Sequence, residues 1–107
     1  KALQFELIDN GLKCETEIII PYYYTTSKNN TYYLTSLRID IIINDTILLE
    51  LKTLNTTIKE NSKEHKQIIR YCHLLNKSNI NITNSFIINF GKKLEIFDCF
   101  NKFNQIL

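Results

Sequence analysis

Leu37-Arg38-Ile39-Asp40-Ile41-Ile42-Ile43-Asn44-Asp45-Thr46-Ile47-Leu48-Leu49-Glu50-Leu51-Lys52 is the stretch on which the fold turns. Ile and Leu fill both halves and Asn44-Asp45 interrupts them, so Tyr32–Ile43 and Thr46–Leu54 read as two strands of a hairpin. Three charged residues, Asp40, Glu50 and Lys52, sit in this apolar setting. Burying a lone carboxylate is costly unless something compensates it. Two carboxylates brought together also repel, which makes a bound cation a natural compensator. Glu50 and Lys52 are two apart on one strand and share a face. Whether Asp40 joins them depends on register. A two-residue turn at Asn44-Asp45 sets Asp40 opposite Leu49 and turns Glu50 to the other face. A three-residue loop, Asn44-Asp45-Thr46, or one bulge sets Asp40 opposite Glu50. A cation site requires that extra residue. An Asp40–Lys52 or Glu50–Lys52 ion pair on a solvated sheet face is the plainer reading and stands beside it.

Outward from the hairpin, Lys1–Asp9 reads as the last turns of a helix that Asn10-Gly11 ends. Leu12–Tyr24 is β-branched and aromatic, hence a strand, and Pro21 marks an edge or a bend. Thr25–Thr31 is a polar turn and Asn55–Asn61 a polar loop. Asn61–Asn76 reads as a helix, with Asn61 and Glu64 at capping-box spacing and His65, Ile68, Ile69, Cys72 and Leu75 on one face. After a polar connection, Ser85–Phe90 is an apolar strand ended by Gly91. Lys92-Lys93 reads as a turn, and Leu94–Phe100 alternates, with Glu95, Phe97 and Cys99 on one side. The order is helix, three strands, helix, two strands, and an α/β fold follows.

With 107 residues the chain is one domain with enough surface to bury for a core. No apolar run approaches the roughly 20 residues of a membrane span, and Glu6 and Asp9 break any signal-peptide pattern. Net charge is only +2 and the lysines are scattered along the sequence, unlike the clustered basic face of a dedicated nucleic-acid binder. Cys14, Cys72 and Cys99 form no Cys-x-x-Cys pair, so free thiols in a reducing, intracellular compartment are expected. His65 and His73, eight apart on a helix, do not make a metal pair and are expected to be structural or at the surface. Tyr22, Tyr23, Tyr24, Tyr32 and Tyr33 could stack on bases, but strand aromatics more often pack. The sequons at Asn29, Asn44, Asn55, Asn76 and Asn81 follow from a composition rich in Asn and Thr.

Asp40, nine intervening residues and then Glu50-Leu51-Lys52 on a hairpin resemble the signature of the PD-(D/E)XK nuclease superfamily. More narrowly, the chain is similar to the GxxExxY family within it. Arg38, Asp40, Glu50, Leu51 and Lys52 carry that likeness, with His65, Gln67 and Tyr71 on the next helix and Asn89, Phe90 and Gly91 later. Ile39 stands where the superfamily name has proline. The Gly-x-x-Glu-x-x-Tyr stretch would lie upstream of Lys1, so residues 1–107 are expected to be one nuclease-like domain with its first helix present in part. The resemblance implies a restriction-endonuclease-like mixed sheet flanked by helices, in the order α-β-β-β-α-β-β. It also implies Mg²⁺, or Mn²⁺, held by Asp40, Glu50 and the Leu51 carbonyl. Lys52 would orient water or offset charge on the phosphorane, and Gln67 would reach water or phosphate, although a solvated place on the helix is its plainer reading. The implied activity is cleavage of DNA or RNA. The rival is a catalytically silent member that binds nucleic acid or protein.

Overall fold

A computed structural model describes residues 1–106. Eight elements follow one another: α1 (Ala2–Asp9), β1 (Cys14–Thr25), β2 (Thr31–Ile43), β3 (Ile47–Lys52), α2 (Lys63–Lys77), β4 (Asn84–Phe90), β5 (Leu94–Asp98) and β6 (Phe103–Ile106). The strands form one mixed sheet in the order β1-β2-β3-β4-β5-β6. All neighbours are antiparallel except β3 and β4, which run parallel and are joined through α2. A parallel pair needs such a crossover, and the helix that makes it covers one face of the sheet.

α2 presents His65, Ile68, Tyr71, Cys72 and Leu75 to that face, against Leu37, Ile39, Ile42, Leu48, Ile87 and Phe97. The expected helix face is right except at Ile69, which is 39% exposed. At about 100° per residue the buried residues fill an arc from Tyr71 to His65 centred on Ile68, and Ile69 lies about 100° from that centre, outside the arc. The cap also differs by one position. Ser62 is the N-cap and its hydroxyl accepts the His65 N–H, whereas Asn61 lies outside the helix at φ +62°. The opposite sheet face is covered by α1, whose Leu3 and Leu7 pack with Leu12 on Ile41, Ile43 and Leu49. Gly11 leaves that helix at φ +79°.

The sequence reading had no sixth strand. β6 follows a turn in which the Asp98 carboxylate accepts the N–H groups of Phe100 and Asn101, and four residues are too few to show a periodicity. The Asn55–Asn61 loop is also less polar in effect than in composition, because Ile58 plugs into the α2-side core at 2% exposure. Pro21 lies on β1, the sheet edge, where its missing N–H costs no ladder bond. Among the described residues no helix is long and apolar enough to cross a membrane.

Candidate active site

The hairpin has the longer of the two registers. Asn44 and Asp45 take φ +51° and +60°, and the Thr46 N–H closes the turn on the Ile43 carbonyl at 3.1 Å. Pairing begins at Ile43–Ile47 and continues through Ile42–Leu48 to Ile41–Leu49. Thr46 is therefore the additional residue, and its carbonyl is taken by the Thr83 N–H at the approach to β4. The next positions across the ladder are Asp40 and Glu50, and there the regular pairing stops.

The ladder on Asp40's other side is broken as well. β1 and β2 pair from Cys14–Ile43 to Thr25–Thr31, but Glu17, at φ +53°, does not pair with Asp40. Both strands change faces at this point. Leu37 and Ile39 pack under α2 while Ile41 and Ile43 pack under α1, and Ile18 and Cys14 divide the same way on β1. Strict two-residue alternation, which holds within each segment, fails across this break. Asp40 is thereby free of both ladders, and its groups bond to β3 through side chains instead. Its carboxylate Oδ2 accepts the Leu51 N–H at 2.8 Å, and its own N–H donates to Glu50 Oε1 at 3.4 Å.

From Glu50 the contacts run along the α2 face. Lys52 Nζ stands 4.0 Å from Glu50 Oε2 and donates to Gln67 Oε1 at 3.4 Å. Gln67 Nε2 donates to the Tyr71 hydroxyl at 3.0 Å. Asp40, Glu50, Lys52 and Gln67 are thus brought into one contiguous group. Glu50 is 5% exposed. Burial first, and then the negative charge of Asp40, push its carboxyl up to about 7, against a smaller opposing pull from Lys52. Burial also raises the Tyr71 hydroxyl, with the Glu50 charge adding to it. Among the described residues no three His, Cys, Asp or Glu side chains gather as a metal-binding group. A cation here would rest on Asp40, Glu50, a backbone oxygen and water.

Two open clefts flank this group. Asp40 and Leu51 border one of about 460 Å³ beside α1, shared with Gln4 and Glu17. Gln67 and Tyr71 border another of about 660 Å³ between α2 and β2. The second cleft revises the picture of scattered lysines: Lys63, Lys66 and Arg70 recur at helical spacing and line it together.

The remaining candidates separate clearly. His65 is buried; the Asn61 N–H donates to its Nδ1 at 2.9 Å, so its ring proton lies on Nε2, 2.9 Å from the Cys99 carbonyl. It is a structural histidine, and His73 is exposed. Cys72 and Cys99 are buried free thiols and Cys14 is half-buried; burial pushes the Cys99 thiol up to about 12. Tyr23, Tyr24, Tyr32 and Tyr33 are more than half exposed and do not pack into a core.

Sequence reasoning missed a residue that shapes the site from behind. Glu95, 2% exposed, accepts the Ile58 N–H at both carboxylate oxygens, at 3.0 and 3.1 Å. The side chains of Asn89 and Asn104 also donate to it. Asn89 in turn accepts the Leu54 N–H at 2.7 Å and donates to the Thr56 carbonyl. A Cβ on Gly91 would stand 1.8 Å from the Leu54 carbonyl oxygen, so only glycine lets the loop lie there. Asn89, Gly91 and Glu95 therefore clamp the loop that joins Lys52 to the helix bearing Gln67. The signal was available: Glu95 alternates onto the side of Phe97 and Cys99, where a solvated acid has no place.

A six-stranded mixed sheet with flanking helices and an acid pair at the fork of its central hairpin defines a restriction-endonuclease-like α/β protein. The chain belongs to the PD-(D/E)XK nuclease superfamily, whose family model matches residues 1–99. Among solved structures, the protein described as SSO0001 has the same fold, with a TM-score of 0.65 and 20% identity over 92% of this chain. The present chain spans 46% of that one. No curated protein matches this sequence.

Proposed function

We propose that this chain is a divalent-metal-dependent nuclease that hydrolyses phosphodiester bonds of DNA or RNA, with Asp40, Glu50, Lys52 and Gln67 as its site. The observation that carries this reading is the Asp40–Glu50 pair, two acidic residues joined through the Asp40 N–H to Glu50 Oε1 where the sheet hydrogen bonding is broken on both sides. Mg²⁺ or Mn²⁺ suits the donor set, because Mg²⁺ is commonly bound by one or two carboxylates and completes its shell with water and phosphate oxygens. Burial and then the Asp40 charge raise Glu50, and such an ion would relieve the second of these. Asp40, Glu50 and the Leu51 carbonyl would hold it. When bound, the ion supplies Lewis-acid polarisation of a phosphoryl oxygen and a water of lowered pKa.

The chain's own groups do the rest. Lys52 places a positive charge beside the acids, where it can orient water or offset charge developing on the phosphorus oxygens. Gln67, tied to Tyr71, holds the ammonium in that direction. Glu50 must lose its proton to act as a ligand, so metal affinity rises with pH up to about 7 and then levels. Within the superfamily, His65, Gln67, Tyr71 and Asn89-Phe90-Gly91 support the narrower likeness to the GxxExxY family.

Titration calorimetry of metal into each variant, beside cleavage assays on single- and double-stranded DNA and RNA, tests the proposal. Mg²⁺ or Mn²⁺ supports cleavage, and Ca²⁺ binds with little turnover. Asp40→Ala removes metal binding and cleavage together, and Lys52→Ala removes cleavage while sparing metal binding. Metal binding that survives Asp40→Ala overturns the nuclease reading. The absence, among the described residues, of a third acidic ligand favours one alternative: a silent member that binds nucleic acid or protein without cutting.

A further inference from the structure

The cleft between α2 and β2 belongs to the site at one end and to a tyrosine-bearing arm at the other. Its helix wall carries Lys63, Lys66 and Arg70 on one stripe, all exposed, and none of the residues lining it is acidic. Among the described residues none of these three cations has a carboxylate within ion-pair distance. Gln67, from the same stripe, reaches from this cleft to Lys52. The opposite wall is Thr35, Ser36 and Leu37 of β2.

Beyond that wall β1 and β2 continue alone, since only Ile41–Ile43 of β2 pairs with β3. The free ribbon carries Tyr23, Tyr24, Tyr32 and Tyr33 at 52–58% exposure, with Tyr23 and Tyr33 meeting edge to face at 5.9 Å. Exposed rings on an unpartnered ribbon, continuous with an uncompensated basic groove, form the pairing by which proteins hold unpaired strands. The cations follow the phosphates, and the rings take up bases that a duplex would keep stacked on one another.

We propose that the α2–β2 cleft is the binding track for a single-stranded nucleic acid, with Lys63, Lys66 and Arg70 on its phosphates and the tyrosine ribbon on its bases. The proposal rests on the nucleic-acid reading of the site and adds which form of substrate enters and from which side. It makes Gln67 the junction between track and acid pair, so the strand reaches Lys52 from the α2 side.

Fluorescence anisotropy with labelled oligonucleotides in EDTA tests this without any cleavage. The wild-type chain binds a mixed-sequence single strand about fivefold or more tighter than its duplex. Lys66→Ala/Arg70→Ala weakens single-strand binding at least about tenfold and reduces the slope of log K against log salt by about 1.4, the release expected from two phosphate contacts. Tyr32→Ala/Tyr33→Ala removes one ring from each face of the ribbon, weakens single-strand binding about fivefold and leaves the salt slope and duplex binding unchanged. These side chains are exposed, so melting curves of both variants match the wild type. An unchanged affinity and slope for Lys66→Ala/Arg70→Ala overturns the track, as does a duplex bound as tightly as the single strand. Glu50→Gln separates the two readings. If it stops cleavage while Lys66→Ala/Arg70→Ala leaves binding intact, the track falls and the nuclease stands. If no metal supports cleavage by the wild type but the track variants lose binding, the nuclease falls and the track stands.

Discussion

Glu50 and Glu95 are carboxylates on the same face of one sheet, separated by a single strand, and both are nearly closed to solvent. Their surroundings make them opposites. Glu95 receives the Ile58 N–H at both oxygens and an amide donor from each of Asn89 and Asn104, so both its oxygens are satisfied by protein donors. Glu50 receives one long N–H bond from Asp40 and an ammonium 4.0 Å away, and it faces a second carboxylate. One is a clamp and the other belongs to the candidate site. A buried acid announces chemistry by the donors it lacks, since a satisfied carboxylate is part of the scaffold.

Removing the clamp gives the largest effect. Glu95→Ala leaves the Ile58 N–H without its acceptor and takes one acceptor from each of the Asn89 and Asn104 amides, and we expect a loss of about 2–4 kcal/mol in urea unfolding. A loss below about 1 kcal/mol would mean that water replaces the carboxylate and would erase the contrast with Glu50. Next comes Gly91→Ala. Its methyl cannot coexist with the Leu54 carbonyl at 1.8 Å, so the loop must lift, costing about 1–3 kcal/mol. That loop joins Lys52 to the helix bearing Gln67, so on the proposed nuclease reading Gly91→Ala also lowers cleavage; full cleavage by the variant would detach the clamp from the candidate site.

The pH dependence is smaller and belongs to Glu50 alone. Its ordinary value is 4.5 and its folded value is about 7. The folded chain therefore binds the proton more tightly. In the absence of metal this contribution favours folding most at low pH, declines as pH rises from about 4.5 to about 7, and is flat above that. The difference between pH 5 and pH 8 is on the order of 2 kcal/mol, read as the shift in urea midpoint against the same shift in Glu50→Gln. Equal shifts in both proteins would place the titration elsewhere. Smallest is Glu50→Gln itself at pH 8 without metal, which we expect to stabilise by about 1 kcal/mol by removing a buried charge that is also repelled by Asp40. A melting temperature lowered by several degrees would show that Glu50 is structurally paired, as Glu95 is.

Much of the architecture was legible because its signals are local. The Ile-rich runs, Asn44-Asp45, the helical stripe of Ile68, Cys72 and Leu75, and Gly11 and Gly91 each act within a few residues of themselves. Boundaries slipped where a neighbour competes for the same role, as Ser62 did with Asn61 at the α2 cap. β6 escaped because four residues carry no pattern, and Ile58 because a plug within a polar loop has no period at all.

The site was legible only in part. The sequence by itself determined that two acids and a lysine stand in apolar strands around a short turn, and it left their convergence to a single residue of register. Tertiary structure decided that Thr46 supplies that residue, because its carbonyl is taken by Thr83 at the head of a strand 37 positions on. It also decided that Glu17 and Asp40 break the ladder together, so that both strands exchange faces where alternation predicts none. Finally it separated Glu95 from Glu50 and gathered Lys63, Lys66 and Arg70 against the β2 wall. The physical reason is common to all of these. Periodicity reports which side chains leave water, whereas the donors, charges and backbone partners they then meet come from segments far away in the chain, and those partners fix whether a buried charge is held or left reactive.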